Sequence, residues 1–196
     1  MLEETSQPYE HVELGGRFGG LDEPAFLKLN PHGKVPLLLD GEAAVWESNA
    51  IVRYLAATYS AGAMWPQDPA KRAYADQWME WAQTRLYPDA NRLFWLSVRT
   101  PEADHDLGKI SATLERLGGY YEILERQLEG RDYVAGNQLT IADIPTGATL
   151  YRYFQMDLDR PDLPNICAWY DRLCARPAYQ SAVMIPYEEL RGRLAY

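Results

Sequence analysis

Cysteine is scarce in this chain: its 196 residues hold only Cys167 and Cys174. The two stand in a helical pattern two turns apart, about 10 Å along the axis, which is beyond the reach of a disulfide. That usage fits a reducing, cytoplasmic setting, with both thiols read as buried apolar side chains. His11, His32 and His105 are isolated, and neither Cys-x-x-Cys nor His-x-x-x-His occurs, so no metal site is expected. No apolar run approaches the roughly 18 residues that span a bilayer, and MLEETSQPYEH has neither a basic start nor an apolar signal stretch. Basic clusters are also missing. With a formal net charge of −9, nucleic acid and anionic membrane surfaces are poor partners. Any anionic ligand would need local cations or free N–H groups.

What is present is a soluble globular composition, 47% hydrophobic, with ample length for a core. Leu2–Gln7 looks like the end of a helix stopped by Pro8. Residues 9–14 (YEHVEL) alternate enough for a strand, and the Gly-rich run 15–20 is a loop. Pro24–Leu29 makes a short helix, with Asp22 as its cap. Val35–Asp40 reads as a strand, Asp40-Gly41 as a hairpin turn and Ala43–Trp46 as the partner strand. A helix follows from Glu47 to Tyr59, with Ile51, Tyr54, Leu55 and Thr58 on one face.

Beyond residue 60 the composition changes. Residues 61–68 read as a linker between a domain at 1–60 and an all-helical domain at 69–196. Pro69 to about Arg99 is one long helix or a bent pair, with Pro88 the bend. Ile110, Leu114, Leu117, Tyr121, Leu124 and Leu128 repeat at alternating steps of four and three, the mark of an antiparallel bundle. Leu139–Ile144 (LTIADI) is a capping box: Thr140 caps, Asp143 reaches back and Leu139 packs on Ile144. Further helices are expected over about 163–175 and 178–184.

Three constellations can carry chemistry. A proline opening a strand lacks a ladder donor; with a cis bond, Val35-Pro36 would turn the Val35 N–H and C=O sideways, able to pair with an extended peptide. An ordinary strand start is the plain alternative. Glu47-Ser48 opens a helix, whose free N–H groups suit a carboxylate while Glu47 suits an ammonium. A zwitterionic amino-acid end would satisfy both. Lys34 could meet a second carboxylate, or be a solvated loop lysine. One strand, a tight turn and one strand separate Pro36 from Glu47, which returns the helix start to the side of the proline loop.

In NPHGKVP and ESNAIVRYL, again in LTIADI, and more loosely over almost its whole length, the chain resembles the glutathione transferases, of a bacterial or theta-like type. The resemblance implies a thioredoxin-like α/β N-terminal domain with cis Pro36, then an all-α helical bundle. By it, Val35 hydrogen-bonds the cysteinyl backbone of glutathione, Glu47 and Ser48 hold the γ-glutamyl end, and Lys34 reaches toward the glycyl carboxylate. Thr140 and Asp143 are structural. A homodimer is implied too. The family's long helix lines both the dimer seam and the hydrophobic pocket; here it carries Tyr74, Trp78 and Trp81, for which core packing is the plain reading.

The family places a strand and helix ahead of the segment matched by LEETSQPYEHVEL, with a Tyr, Ser or Cys at their junction to activate the glutathione sulfur. Met1 falls inside that expected helix. The N-terminal domain is therefore expected to be truncated, with a strand slot empty beside Val35–Leu39 and no catalytic residue assignable. The expected function is glutathione conjugation to small hydrophobic electrophiles, glutathione being co-substrate and no metal taking part. The alternative is a noncatalytic glutathione-binding or scaffold protein of the same fold.

Overall fold

The computed structural model describes residues 1–194. Its N-terminal part is small and α/β. Residues 1–7 form tight turns, with the Thr5 N–H donating to the Met1 and Leu2 carbonyls, in place of a regular helix end. The strand expected at 9–14 does not form: the segment has no regular structure and no ladder partner among the described residues, with Tyr9 and Val12 exposed. Alternation alone cannot make a strand without a neighbour to take its ladder bonds and a core to take one face. Helix α1 spans Pro24–Leu29, with Glu23 rather than Asp22 at its N-cap.

Strand β1 (Leu37–Asp40) and β2 (Ala43–Trp46) form an antiparallel two-stranded sheet, from Leu37 opposite Trp46 to Asp40 opposite Ala43. A two-residue turn closes it, with Gly41 at φ 57, a conformation that glycine adopts without a Cβ penalty. The strand begins two residues later than expected, since Pro36 has no N–H to give a ladder; the Val35-Pro36 peptide is cis.

Helix α2 (Ser48–Tyr59) lies between this sheet and the helical part. That position corrects the expected face. Val52, Leu55 and Ala56 are the buried apolar residues, while Ile51 and Tyr54 are half-covered and Thr58 is exposed. Val52 and Ala56 join the same core as Met79 and Tyr121, and Tyr54 turns back to the sheet through Asp40. Both flanks are used, so no single stripe describes the helix.

The expected long helix is α3 (Pro69–Trp81), a π turn over Ala82–Leu86, α4 (Tyr87–Phe94) and a second π turn over Trp95–Arg99. Pro88 cannot donate to the carbonyl one turn back, and the helix widens immediately before it, which is where π turns relieve such conflicts. Asp68 caps α3 by accepting from the Ala70 and Lys71 N–H groups. Helix α5 (Leu107–Leu128) buries Leu117, Tyr121, Leu124 and Leu128 of the expected repeat, while Ile110 and Leu114 at its start are half-buried against the core, and it packs on α4 and on α8 (Pro164–Cys174). Between them lie α6 (Asp143–Ala148) and α7 (Leu150–Gln155); α9 (Pro177–Ala182) follows. Cys167 is exposed and Cys174 half-exposed, against the buried placement expected. Helix α8 turns Ile166, Trp169 and Leu173 inward, and the cysteines, each one residue past Ile166 or Leu173, are rotated off that face. An α/β part followed by an all-helical part is the fold class that the sequence implied.

Candidate functional site

The loop from α1 to β1 is built around Asn30, which is almost fully buried. Its backbone N–H closes α1 on the Phe26 carbonyl. Its side-chain amide donates to the Lys34 carbonyl at 2.6 Å, its Oδ1 accepts the His32 N–H at 3.1 Å, and its carbonyl accepts the Gly33 N–H. One residue thus fastens the whole approach to the cis peptide. Gly33 stands at φ 60, where a Cβ would lie 3.1 Å from the Leu21 carbonyl oxygen. The His32 ring meets Trp46 edge-on at 4.9 Å. Val35 comes out of this loop 52% exposed, and among the described residues no backbone bond engages its N–H or C=O.

Replacing Asn30 with alanine is expected to strip the side-chain anchors from the loop. We expect a cost of about 1–3 kcal/mol and a melting point lower by about 3–10 °C, together with faster amide exchange at His32 and Gly33. An unchanged melting point would mean that the loop is held by something else.

The register of the sheet brings the second half of the site alongside. Leu37 is opposite Trp46, so Pro36 and Glu47 flank the same end of the ladder. Glu47 is the N-cap of α2 at φ 70, ψ 119, and makes no side-chain cap bond. A non-glycine residue there costs about 1–3 kcal/mol and persists only where its surroundings fix it. Ser48 begins the helix, and both residues are at least partly exposed. The first-turn N–H groups therefore open at the rim beside Pro36, with the positive end of the helix dipole behind them.

Several bonds fix that end. Asp40 accepts from the Tyr54 hydroxyl at 2.9 Å and the Tyr59 hydroxyl at 2.5 Å, tying β1 to α2. Tyr59 first, then Tyr54, holds the Asp40 carboxyl below its ordinary value, and Asp40 pushes the Tyr59 phenol up to about 12. On the other flank, the Asn49 side chain donates to the Met79 carbonyl, and Arg53 pairs with Asp76 at 2.8 Å and with Glu80. Of the five residues singled out in the sequence, Val35, Pro36, Glu47 and Ser48 share one rim. Lys34 immediately precedes it, exposed, with no ion pair among the described residues.

Beside Val35 opens a cleft of about 850 Å³ between the Gly-rich loop and the helical part. Helix α4 contributes Tyr87, Asn91 and Phe94 to its wall. Tyr74, Trp78 and Trp81, earlier on the same run of helix, stay out of it. Trp78 and Trp81 meet edge-on at 5.2 Å, Trp81 meets Tyr120, and the Tyr74 hydroxyl accepts from Gln127. Tyr153 and Tyr187 also line the cleft, and their buried hydroxyls have no hydrogen-bond partner among the described residues. Burial pushes the Tyr153 phenol up to about 12 and raises Tyr187 too, so both are donors at neutral pH. Among the described residues no group of three or more His, Cys, Asp or Glu could hold a metal.

Asn30 and the cleft residues escaped the sequence reading. Asn30 had a signal, an Asx residue directly after a helix and before proline, the type that bonds its own following backbone. The cleft wall had none, because it is assembled from segments more than a hundred residues apart.

The comparisons with known proteins agree over both halves. Residues 1–57 match the family model described as glutathione S-transferase, N-terminal domain, and residues 75–177 match glutathione S-transferase, C-terminal domain. The chain is 38% identical over 187 residues to glutathione S-transferase GstB of Escherichia coli K12, covering 94% of this chain and 90% of that one. It is 36% identical to glutathione S-transferase D6 of Drosophila melanogaster, covering 83% and 74% respectively. Its fold superposes with a TM-score of 0.88, at 46% identity over 94% of this chain and 89% of the other, on the theta class glutathione S-transferase of Xanthomonas axonopodis pv. citri with glutathione bound. On the matched family models, the relatives and the shared fold, this chain belongs to the glutathione S-transferase family.

Proposed function

We propose that the protein binds glutathione along the Val35-Pro36 rim and the start of α2, and adds its thiolate to an apolar electrophile held in the adjoining cleft. The observation that carries this reading is the juxtaposition of an unengaged Val35 backbone with the open first turn of α2 across one end of the β1–β2 ladder. An extended peptide pairs with Val35 as an added strand does. Its γ-glutamyl end places a carboxylate on the Ser48 hydroxyl and first-turn N–H groups, and an ammonium on Glu47. Lys34 is left for the glycyl carboxylate. In the chemical step the sulfur lone pair forms the S–C bond, the leaving group departs with its electron pair, and the thiol proton passes to solvent. The residues named here bind and orient the thiol.

We assign the glutathione-binding unit to residues 1–60, the linker to 61–68 and the helical unit to 69–196. A cytoplasmic homodimer acting in detoxification is the setting proposed for it, and sedimentation tests the dimer. A second reading is a glutathione binder without turnover, in which the rim holds the peptide and no group of this chain activates its sulfur.

Two measurements on the intact chain separate the readings. Calorimetric titration with glutathione measures binding, and absorbance of the conjugate with chlorodinitrobenzene measures turnover. Binding with turnover supports the transferase, and binding without it supports the second reading. Absence of both removes the proposal.

A further inference from the structure

We infer that the cleft selects electrophiles pairing an aromatic or apolar body with an anionic group, a carboxylate or sulfonate, held by Arg17 and Arg152; this rests on the proposed function and narrows it.

The chain carries a net charge of −9, so a site for a neutral apolar molecule has no need of concentrated cations. Yet Arg17, Arg152 and Arg193 all line this one cleft, and Glu189 is the sole acidic residue among its described lining. None of the three arginines makes an ion pair among the described residues. The positions of two guanidiniums are fixed by rings that also belong to the wall. Arg152 lies over Phe94 at 4.4 Å from the ring centroid, and Arg17 over Phe18 at 4.8 Å. Stacking of this kind leaves the edge of each guanidinium, where its N–H groups are, open to an oxyanion.

The two cations approach from different sides. Arg17 rides on the Gly-rich loop, whose glycines at 15, 16, 19 and 20 all have positive φ, while Arg152 stands on α7. The rest of the lining is mostly aromatic and aliphatic, with Asn91 and Thr149 among it. It includes the side chains of Phe94, Tyr153 and Tyr187. Largely apolar walls and two guanidiniums without an ion pair among the described residues together suit a flat apolar body bearing an oxyanion. Phosphate-rich polyanions fit poorly, because most of the lining is apolar and the net charge of −9 repels them.

The test compares chlorodinitrobenzene with chlorodinitrobenzoate, which differ by one ring carboxylate. Equilibrium binding of each is measured without thiol on the intact chain, on Arg152→Gln, Arg17→Gln and Arg152→Lys. Melting curves confirm that each variant is folded. The benzoate is expected to bind about five- to twentyfold more tightly than its neutral analogue. Each glutamine variant should lose most of that preference, weakening the benzoate severalfold more than the neutral compound, Arg152→Lys should keep most of it, and added salt should weaken mainly the benzoate. Equal affinity for the two compounds, or arginine changes that act on both alike, overturns the inference. Conjugation assays on the same samples keep the two proposals apart. A binding preference without conjugation removes the transferase reading and leaves this one, whereas conjugation without preference does the reverse.

Discussion

Replacing Glu47 with alanine is expected to weaken glutathione binding about 10- to 100-fold, the loss of one charge-assisted hydrogen bond to an ammonium. The backbone at this residue makes the experiment sharper than most. Glu47 is held at φ 70, and alanine at that φ carries the same Cβ penalty, so Glu47→Ala removes the carboxylate and leaves the strain. Glu47→Gly removes both. Calorimetry should therefore show similar affinity losses for the two variants. Thermal melting should separate them, with the glycine form at least as stable as the parent and the alanine form no more stable than it. Ser48→Ala should lose less, because the first-turn N–H groups remain to hold the carboxylate. Parent-like affinity in a folded Glu47→Ala would show that the ammonium sits elsewhere, and the site would have to be redrawn.

What the sequence discloses of this site is local. A two-residue turn with glycine at Gly41, flanked by short apolar runs, fixes a hairpin, and a hairpin fixes which residues stand opposite one another. The pairing of Pro36 with Glu47 at one rim follows from counting along that hairpin. The alternating steps of α5 are equally local, and the buried row from Leu117 to Leu128 is the row the repeat predicts. Errors arise where the outcome depends on what lies across the gap. Residues 9–14 alternate as a strand does, but no neighbouring strand among the described residues takes their hydrogen bonds. The face of α2 is not legible because the helix is gripped on two sides, by Asp40 through Tyr54 and Tyr59 and by the helical core through Val52 and Ala56. The cysteines are misplaced by residue-type averages, which cannot tell on which side of α8 a position falls. The cleft is the extreme case: Arg17, Phe94 and Arg152 meet only through tertiary packing.

The second large effect expected is on stability. Asp143→Ala should cost about 3–5 kcal/mol, the usual loss when one partner of a buried polar network is deleted, and lower the melting point by about 6–20 °C. Asp143 is 1% exposed. Its Oδ1 accepts from the Val134 N–H at 2.9 Å and the Trp169 indole at 3.1 Å, and its Oδ2 accepts from the Thr140 N–H at 2.9 Å and hydroxyl at 3.3 Å. This is the capping box read from the sequence, with two long-range donors added. Alanine leaves three N–H groups buried without acceptors. Asp143→Asn would be little better, since the new amide nitrogen must face a donor whichever way it is turned.

The charge adds a separate signature. Burial pushes the Asp143 carboxyl up to about 6 from 3.8, while the donors at Val134, Thr140 and Trp169 pull it down less strongly. The folded value lies above the unfolded one, so the stabilisation tied to protonation is full below about pH 4 and is lost as the pH rises through about 6. Asp143→Asn should flatten the pH dependence of melting across that window, whatever its effect at pH 7. A variant that melts within about 3 °C of the parent, with an unaltered pH profile, would mean that the donors find water or each other. The network joining Thr140, Val134 and Trp169 would then be a consequence of the packing of α6 against α8, and not its cause.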